Sequence, residues 1–379
     1  MFHPCAAERG CRRTGIRVYR IGTSKPRDFA PVAKSPWSAL PTDERRALAA
    51  AWRGNVPSAA SAIHARWWQF ESWLRSLVYV ELRSKFGARW TAELPPTAES
   101  RKDKDARRRT YMSTPDATAH LAYLDVGELF PLITAHWDLF GGSLIDRDAW
   151  DGRVAELNTI RRRIAHCRRP HTDDLTRLEQ VLRDIDPGAF RAMASFNDRD
   201  HPEQDLDDEL VRLWVRGEHA QFHIVEHAYR QYDTRFALSY SKRPWAQPRA
   251  DGESVSGRPG YVWHATWHGA HVPDLRDWWR DSYFDINQWR DLILFVCADE
   301  YTISISFAAA DDPAAIAEGI GHCFQPTLQH RHLVGDLDQL HAESVRWRAR
   351  ALDLDLRVQV GTGWNYLDPS VADLAVFGA

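Results

Sequence analysis

The amino-acid sequence predicts an α+β protein in which an all-α helical bundle forms the N-terminal half and an α+β domain follows it. In the first 190 residues, apolar side chains recur at steps of three and four residues, the period of an amphipathic helix. Farther along, short strand-like runs alternate with helical ones. We therefore predict four regions: an N-terminal arm with a short helix (1–57), a helical domain (58–190), a linker (191–208) and an α+β domain (209–379).

The helical half begins with its strongest pattern, which covers residues 58–87 and ends at Gly87. A shorter helix is predicted just before it, from Ser38 to Trp52, with Thr42 as the candidate N-cap. The charged run 101–115 has no apolar periodicity and is expected to form a solvated loop. Further helices are predicted at 118–139, 148–166 and 172–185, with the Pro187-Gly188 pair ending the last one.

The C-terminal half mixes helical and strand-like segments. Strands are predicted where β-branched and aromatic residues cluster between turn residues, at 234–240, 261–267, 291–296, 301–307 and 353–360. Helices are predicted at 210–232, 311–324 and 337–351. The short gap between the third and fourth strands is typical of a hairpin.

Charge and cysteine content limit the class of protein. The net charge of −3 hides an asymmetry, because residues 1–200 hold 33 basic and 25 acidic residues (+8) and residues 201–379 hold 16 and 27 (−11). A polyanion would therefore meet the first half. No uninterrupted apolar run of about 18 residues predicts a membrane span, and no secretory signal is recognisable near residue 1. Five scattered cysteines without a C-x-x-C pair indicate a reduced, cytoplasmic protein.

Other chemical motifs receive little support. P-loop, dinucleotide-binding, H-E-x-x-H and G-x-S-x-G patterns do not occur, so neither a cofactor nor a metal is expected. His264, His268 and His271 have a spacing that a zinc site could use, but no cysteine lies nearby, and a surface histidine cluster is favoured. The tryptophans of the C-terminal half favour a core or a protein-binding face over base stacking.

One stretch carries nucleic-acid chemistry: Arg161-Arg162-Arg163-Ile164-Ala165-His166, near the end of the predicted helix 148–166. Metal-free RNA cleavage uses the 2′-hydroxyl as nucleophile, so the protein must remove one proton and donate another. Histidine can do either, because its unperturbed pKa of about 6.5 lies close to neutral pH. An always-charged arginine suits the negative charge that develops on the phosphorane.

This stretch resembles the signature of the HEPN superfamily, an arginine followed after four to six residues by a histidine. The upstream segments Phe70–Trp90 and Tyr123–Phe140 are similar to the helical arrangement of HEPN domains in bacterial defence and toxin proteins. The resemblance covers about residues 58–190. It implies a HEPN-like bundle, a two-fold homodimer through the helical domain, and a metal-independent endoribonuclease of the toxin or anti-phage defence type. Arg161 would stabilise the phosphorane and His166 would transfer protons.

The neighbouring residues complete the predicted site. Four arginines are predicted to hold the RNA backbone: Arg162, Arg163, Arg168 and Arg169. Glu156 is predicted to orient the basic cluster; the alternative is that Glu156 is only a solvated carboxylate on the helix face. The residue after the motif arginine is often asparagine in the superfamily and is Arg162 here.

Expected partners are RNA, with tRNA as one candidate, a second copy of the chain, and an antitoxin or other protein, but no membrane. The alternative function is a non-catalytic HEPN-type module for dimerisation or nucleotide binding that contacts a protein partner.

Helix geometry poses a question about the motif. Residues five apart are separated by about 140° around an ideal helix, so Arg161 and His166 do not share a face, whereas Arg162 and His166 do. Either the helix unwinds before Pro170, or the two side chains converge only across the dimer. The purely structural alternative is that His166 is a helix-terminal histidine favoured by the helix dipole.

Overall fold

The computed structural model describes residues 42–108, 120–269, 271–273, 275–280, 286–299, 301–333, 355–370 and 375–378. The chain divides into two compact units, Met1–Pro57 and Ser58–Ala379. In the first unit the described element is helix α1 (Thr42–Arg53), whose first residue is Thr42, the predicted N-cap. Residues 1–41 of the predicted arm lie outside the described residues.

The second unit opens with a helical bundle built around one long helix. Its helices are α2 (Ser58–Phe86), α3 (Thr97–Arg108), α4 (Val126–Ala135), α5 (Trp137–Phe140), α6 (Arg147–Ala165) and α7 (Asp174–Asn197). Along the first part of α2, buried residues such as Ile63, Phe70 and Leu74 recur at helical spacing. From Leu77 to Ser84 every side chain is buried, so this end of α2 is enclosed on all sides.

The remaining elements form a sheet with flanking helices. The helices are α8 (His223–Tyr232), α9 (Leu275–Arg280), α10 (Pro313–Gln329) and α11 (Gly363–Tyr366). The strands are β1 (Arg235–Lys242), β2 (Tyr261–His268), β3 (His271–Pro273), β4 (Ile293–Ala298), β5 (Thr302–Ala308), β6 (Arg331–Leu333) and β7 (Val358–Gln359). Five strands pair in the order β1-β2-β5-β4-β7, antiparallel except for β4 with β7, and β3 pairs with β6. This architecture, with a helical N-terminal half, confirms the predicted fold class.

The sheet is covered on both faces. Phe295 and Cys297 share a core cluster with the apolar residues of α2 and α7, whereas Trp267 and Ile305 belong to a second cluster with residues of α10. Alternating residues of a strand point to opposite faces, which is why nearly every side chain of β2, β4 and β5 is buried. Strand β4 is a continuous apolar run, whereas β5 alternates apolar residues with Thr302, Ser304 and Ser306.

Buried polar contacts fasten α2 to the sheet region. Glu81 accepts two hydrogen bonds from the guanidinium of Arg243, at 2.6 and 3.0 Å, and a third from the indole of Trp245 at 2.7 Å. Two residues farther along α2, Arg83 donates to Asp311 at 2.8 Å. The helical and sheet regions thus share a core within one compact unit, while the division at 191–208 stays a prediction.

Two local predictions were wrong. The charged run expected to be a loop is helical up to Arg108, because Glu99–Lys102 and Asp103–Arg107 ion pairs at helical spacing stabilise α3. Residues 109–119 lie outside the described part of the chain. Helix α7 also continues past Pro187 to Asn197, into the predicted linker. Gly188 lets α7 pack closely against the segment before α6 at this point, since a Cβ there would lie 2.4 Å from the carbonyl oxygen of Ser143.

Other segments differ in extent. The predicted helix 118–139 is divided into a short 3-10 turn, α4 and α5, and 210–232 is divided by Gly217, whose φ of +82° suits glycine. The last predicted strand shrinks to Val358–Gln359. The predicted helix 337–351 lies outside the described residues. Among the helices that the structure describes, none combines the length and the apolar character needed to cross a membrane.

Candidate functional site at the end of helix α6

Helix α6 carries the Arg161–His166 motif on a firmly anchored frame. Asp146 is its N-cap and accepts a hydrogen bond from the backbone of Ala149 at 3.0 Å. Trp150, Leu157 and Ile160 are buried on one side of the helix. The spacing of these apolar residues is what predicts the helix from sequence, and it fixes which side chains remain outside the core.

The helix stays wound up to the motif histidine. It runs to Ala165, and His166 is its C-cap. Cys167 follows in the left-handed conformation with φ of +50°; its N–H bonds to Ile164 O at 3.0 Å, and the N–H of Arg168 bonds to Arg163 O at 2.8 Å. These two bonds define a Schellman motif. The helix therefore does not unwind between Arg161 and His166, and unwinding does not bring them together.

Arg161 is turned towards the start of α4. Its Nη2 lies 3.2 Å from a carboxylate oxygen of Asp125, and both side chains are partly exposed. Asp125 is the N-cap of α4, where its side chain accepts from Gly127 N at 2.8 Å and forms a capping box with Glu128. The motif arginine thus already has an anionic partner within its own chain.

Arg163 anchors the end of α6 to the start of α7. Its guanidinium makes two hydrogen bonds to the buried carboxylate of Asp174, one of them at 2.7 Å, and Asp174 also accepts from His171 N at 2.9 Å. Burial raises the pKa of Asp174, but the hydrogen bonds from Arg163 and from the His171 backbone outweigh it, so the pKa lies below its ordinary value. The charge of Arg163 is therefore used in a structural ion pair.

Glu156 lines a cleft, and its ion-pair partners are arginines outside the motif. It pairs with Arg153, at 3.2 Å, and with Arg177 of α7. The cleft, of about 570 Å³, lies between α6 and α7 and is lined also by Gly152 and His171. Neither Arg161 nor His166 lines it. Of the motif, Arg163 lines the cleft together with its partner Asp174, whereas Arg161 reaches Asp125 at the start of α4.

The predicted residues that remain open to solvent cluster at the helix end. They form what we call the helix-end patch: Arg162, His166, Arg168 and Arg169. All four side chains are exposed, and none has a hydrogen-bond or ion-pair partner among the residues that the structure describes. Three positive charges here are favoured by the negative end of the helix dipole. The patch can accept a polyanion without first breaking an ion pair.

Two histidines of the predicted surface cluster bond within the sheet, and the prediction was wrong for His264, which is buried. His264 is fully buried between Ser241 Oγ and Ser306 Oγ, each 2.8 Å from a ring nitrogen. Burial, followed by the charges of Arg199 and Arg243, holds the pKa of His264 well below its ordinary value. His268 bonds to Thr302 Oγ1 at 3.1 Å. In the described ranges, no group of three or more His, Cys, Asp or Glu residues could hold a metal ion.

Two partners of the motif were not predicted from sequence, Asp125 and Asp174. For Asp125 a local signal exists, since Asp125-x-x-Glu128 has the spacing of a capping box. For Asp174 the first-turn position in α7 is the signal. In neither case does the sequence reveal the arginine that the carboxylate meets.

Comparison with known families assigns the helical region. Residues 68–185 match the family model of Swt1-like HEPN domains. The matched segment contains most of α2 and all of α4 and α6 with the Arg161–His166 motif, so this part of the chain is a HEPN domain, as predicted. HEPN domains are associated with nuclease and RNA-related functions, and they commonly bind RNA and dimerise. Searches of curated proteins and of solved structures gave no match.

Proposed function

We propose that the protein is a metal-independent endoribonuclease of the toxin or anti-phage defence type, active as a homodimer through its HEPN domain. The observation that carries the proposal is the helix-end patch, in which His166 is exposed and unpaired within the described chain, and the exposed Arg162, Arg168 and Arg169 lie within four positions of it along the chain. A free imidazole beside fixed positive charges is suited to proton transfer at a phosphodiester. Arg163 is left out of the phosphate-binding set because Asp174 holds it.

The proposed reaction is a transesterification within the RNA. One His166 removes the proton of the 2′-hydroxyl, the 2′-oxygen forms a bond to phosphorus, and the bond from phosphorus to the 5′-oxygen breaks. A second, protonated His166 gives its proton to the departing 5′-oxygen. The products are a 2′,3′-cyclic phosphate and a 5′-hydroxyl. Arg161 stabilises the additional negative charge of the phosphorane.

The reaction needs two proton-transferring groups, and this is the reason for proposing a dimer. One chain supplies one His166, and within that chain Arg161 points to Asp125. An isologous dimer would place two copies of each residue at one cleft, and such two-fold pairing is the commonest symmetry of oligomers. RNA, with tRNA as a candidate, is the proposed substrate, and an antitoxin or other protein is a proposed partner.

Cleavage of total RNA and of tRNA, with and without EDTA, tests this proposal. The matched control for His166→Ala is His171→Ala, since His171 is also exposed and lies five residues away, outside the motif. We expect EDTA-resistant cleavage that leaves cyclic phosphate ends, is lost in His166→Ala and is retained in His171→Ala. Absence of cleavage by the wild-type protein, or equal cleavage by all three proteins, would contradict it.

A non-catalytic module is the second candidate, and one observation favours it. The ion pair between Arg161 and Asp125 neutralises the residue that would otherwise stabilise the phosphorane. In such a module the HEPN domain would serve dimerisation or nucleotide binding, and the acidic half would contact a protein partner. Growth of cells that express the wild-type protein is compared with growth of cells that express His166→Ala. Growth arrest that is relieved in the variant would favour the nuclease, and arrest that persists in the variant would favour the module.

A further inference from the structure

A short segment that is far from the HEPN domain in sequence is docked against it. Residues 375–378 contact α2 and α7, and the segment and both helices belong to the same compact unit. Phe377 is buried, with 2 % of its surface exposed, whereas Ala375 and Gly378 are exposed. One aromatic residue therefore anchors this segment.

The Phe377 ring enters the apolar core of the helical bundle. Its centre lies 5.3 Å from the ring centre of Trp73 in α2, and the two ring planes meet at 82°, the edge-to-face arrangement that aromatic pairs favour. Phe377 also belongs to the core cluster that includes Leu77 of α2 and Leu182 of α7. The bundle thus has an apolar slot that a side chain from a distant segment fills.

Both backbone polar groups of Phe377 are held by side chains. Its N–H donates to Oδ1 of Asp186 in α7 at 3.0 Å. Its carbonyl oxygen accepts from Nη1 of Arg66 at 2.8 Å and from Nε2 of Gln69 at 3.4 Å, both in α2. Arg66, Gln69 and Trp73 are three and four residues apart, so they share a face of the helix. The two helices therefore contact the main chain and the side chain of the same residue.

The docked segment has the form of a turn. The N–H of Gly378 bonds to Ala375 O at 3.3 Å, and Gly378 has a φ of +60°, which favours glycine. Within the part of the chain that the structure describes, no backbone–backbone hydrogen bond joins 375–378 to another segment. In the same part, the side chain of Asp186 has no hydrogen bond or ion pair except the one to Phe377. The segment can therefore leave without breaking a helix or a strand.

We propose that this slot, formed by Arg66, Gln69, Trp73 and Asp186, is a recognition site for a peptide turn in which phenylalanine precedes glycine, and that the chain occupies it with its own residues 375–378. The class of ligand follows from the occupant and does not depend on RNA cleavage. The apolar slot selects the phenylalanine, the bonds to its N–H and C=O supply affinity, and the glycine permits the turn.

Occupancy of the slot involves the helix that anchors the motif. Residues 68–185, which match the HEPN family, contain Trp73 and end one residue before Asp186. The first turn of α7 holds Arg163 of the motif through Asp174. A peptide that displaces the docked segment therefore replaces a contact of α7, so the slot is a place where binding can act on the end of α6.

Binding is measured by fluorescence anisotropy with a labelled peptide that has the sequence of residues 371–379. The protein is the full chain with Phe377→Ala, which empties the slot. We expect saturable binding to this variant and at least about tenfold weaker binding to the wild type, because a ligand in the same chain competes at an effective concentration on the order of 1 mM. A peptide in which alanine replaces the phenylalanine should not bind.

A second substitution tests the contact with the main chain. Asp186→Ala, added to Phe377→Ala, should raise Kd about tenfold or more, the effect of losing a hydrogen bond to a charged group. Asp184→Ala is the matched control, since Asp184 also lies in α7 but pairs with Arg153, and it should leave Kd unchanged. No binding to folded Phe377→Ala, equal binding by the wild type, or equal weakening by Asp186→Ala and Asp184→Ala overturns the inference.

Hydrogen exchange tests the inference on the wild-type protein, so that a folding defect of Phe377→Ala does not decide it. We expect the Phe377 amide to exchange by local release of the segment, about 100-fold faster or more than the amides of 77–84 in α2. Asp186→Ala should speed this exchange further and leave that of 77–84 unchanged. Exchange of Phe377 at the same rate as 77–84 would show that the segment is a fixed part of the core and would overturn the inference.

Discussion

The guanidinium of Arg161 lies 3.2 Å from the carboxylate of Asp125, the residue whose side chain caps helix α4. One carboxylate therefore serves two purposes, since it stabilises a helix terminus and neutralises the motif arginine. If Arg161 acts on RNA phosphate, Asp125 competes with the substrate for it. The two purposes can be separated, because asparagine is as good an N-cap as aspartate but carries no charge.

Asp125→Asn is expected to keep the fold and release Arg161. The midpoint of thermal unfolding should stay nearly unchanged, and KM for RNA should fall because phosphate no longer displaces a carboxylate. Asp146→Asn is the control, since Asp146 caps α6 in the same way. A KM that moves equally in both variants, or a large loss of stability in Asp125→Asn, would refute this role.

Asp174→Asn is expected to destabilise the junction of α6 and α7 by about 1.5–3 kcal/mol, the usual contribution of hydrogen bonds to a charged group. The folded-state pKa of Asp174 is lowered, so its contribution is complete above the unfolded pKa of about 3.9 and is lost as the pH falls through the folded pKa. The difference in unfolding free energy between wild type and variant should therefore be largest near neutral pH and shrink in acid. Urea unfolding at a series of pH values measures it.

The control for that experiment is Asp151→Asn, which breaks the exposed pair of Arg147 and Asp151. Exposed pairs of this kind contribute about 0.3–0.5 kcal/mol. A loss in Asp174→Asn no greater than in Asp151→Asn, or one that does not depend on pH, would show that Asp174 does not anchor the motif helix.

His264 should make the protein less stable in mild acid. Its folded-state pKa is lowered, so between the unfolded value of about 6.5 and the folded value the unfolded chain binds more protons, and stability falls by up to about 1.4 kcal/mol per pH unit as the pH decreases. In His264→Gln this slope below pH 6.5 should be smaller, although the variant is less stable overall. His171→Gln, at an exposed position, should keep the wild-type slope; identical slopes in all three proteins would exclude a titrating His264.

Glu81→Gln tests the connection between α2 and the sheet region. The pair of Glu81 and Arg243 is completely buried, and removing one charge leaves the other without a counter-charge, which destabilises by about 3–5 kcal/mol. The double variant Glu81→Met/Arg243→Met should lose less than Glu81→Gln alone. Chemical unfolding of the three proteins gives the comparison, and a double variant that is the least stable would contradict it.

The sequence predicts those features that depend on local periodicity. Helix α6 was predicted at 148–166 and lies at 147–165, because Trp150, Leu157 and Ile160 mark its buried side. The passage of α7 through Pro187 was missed, since the part of α7 beyond it packs against distant segments, as the close approach of Gly188 to Ser143 shows. The strand order β1-β2-β5-β4-β7 is likewise a matter of tertiary packing.

The same limit applies to the site. The residue types and the exposure of the helix end follow from the sequence, because the motif lies beyond the last buried position of α6. The division of the arginines into free and paired ones does not follow from it. Asp125 lies 36 positions before Arg161, and Asp174 lies beyond Pro170, so only the folded chain shows that Arg161 and Arg163 have partners whereas Arg162 does not.

Helix α2 has a consequence for how this gene could have changed by recombination. Most of α2 lies in the segment that matches the HEPN family, yet Tyr79, Glu81 and Arg83 bond to residues found more than 150 positions later. A crossover that exchanged the HEPN segment for that of a relative would separate these partners. We therefore expect an exchange of this segment alone to destabilise the protein, and the two halves to have diverged in step.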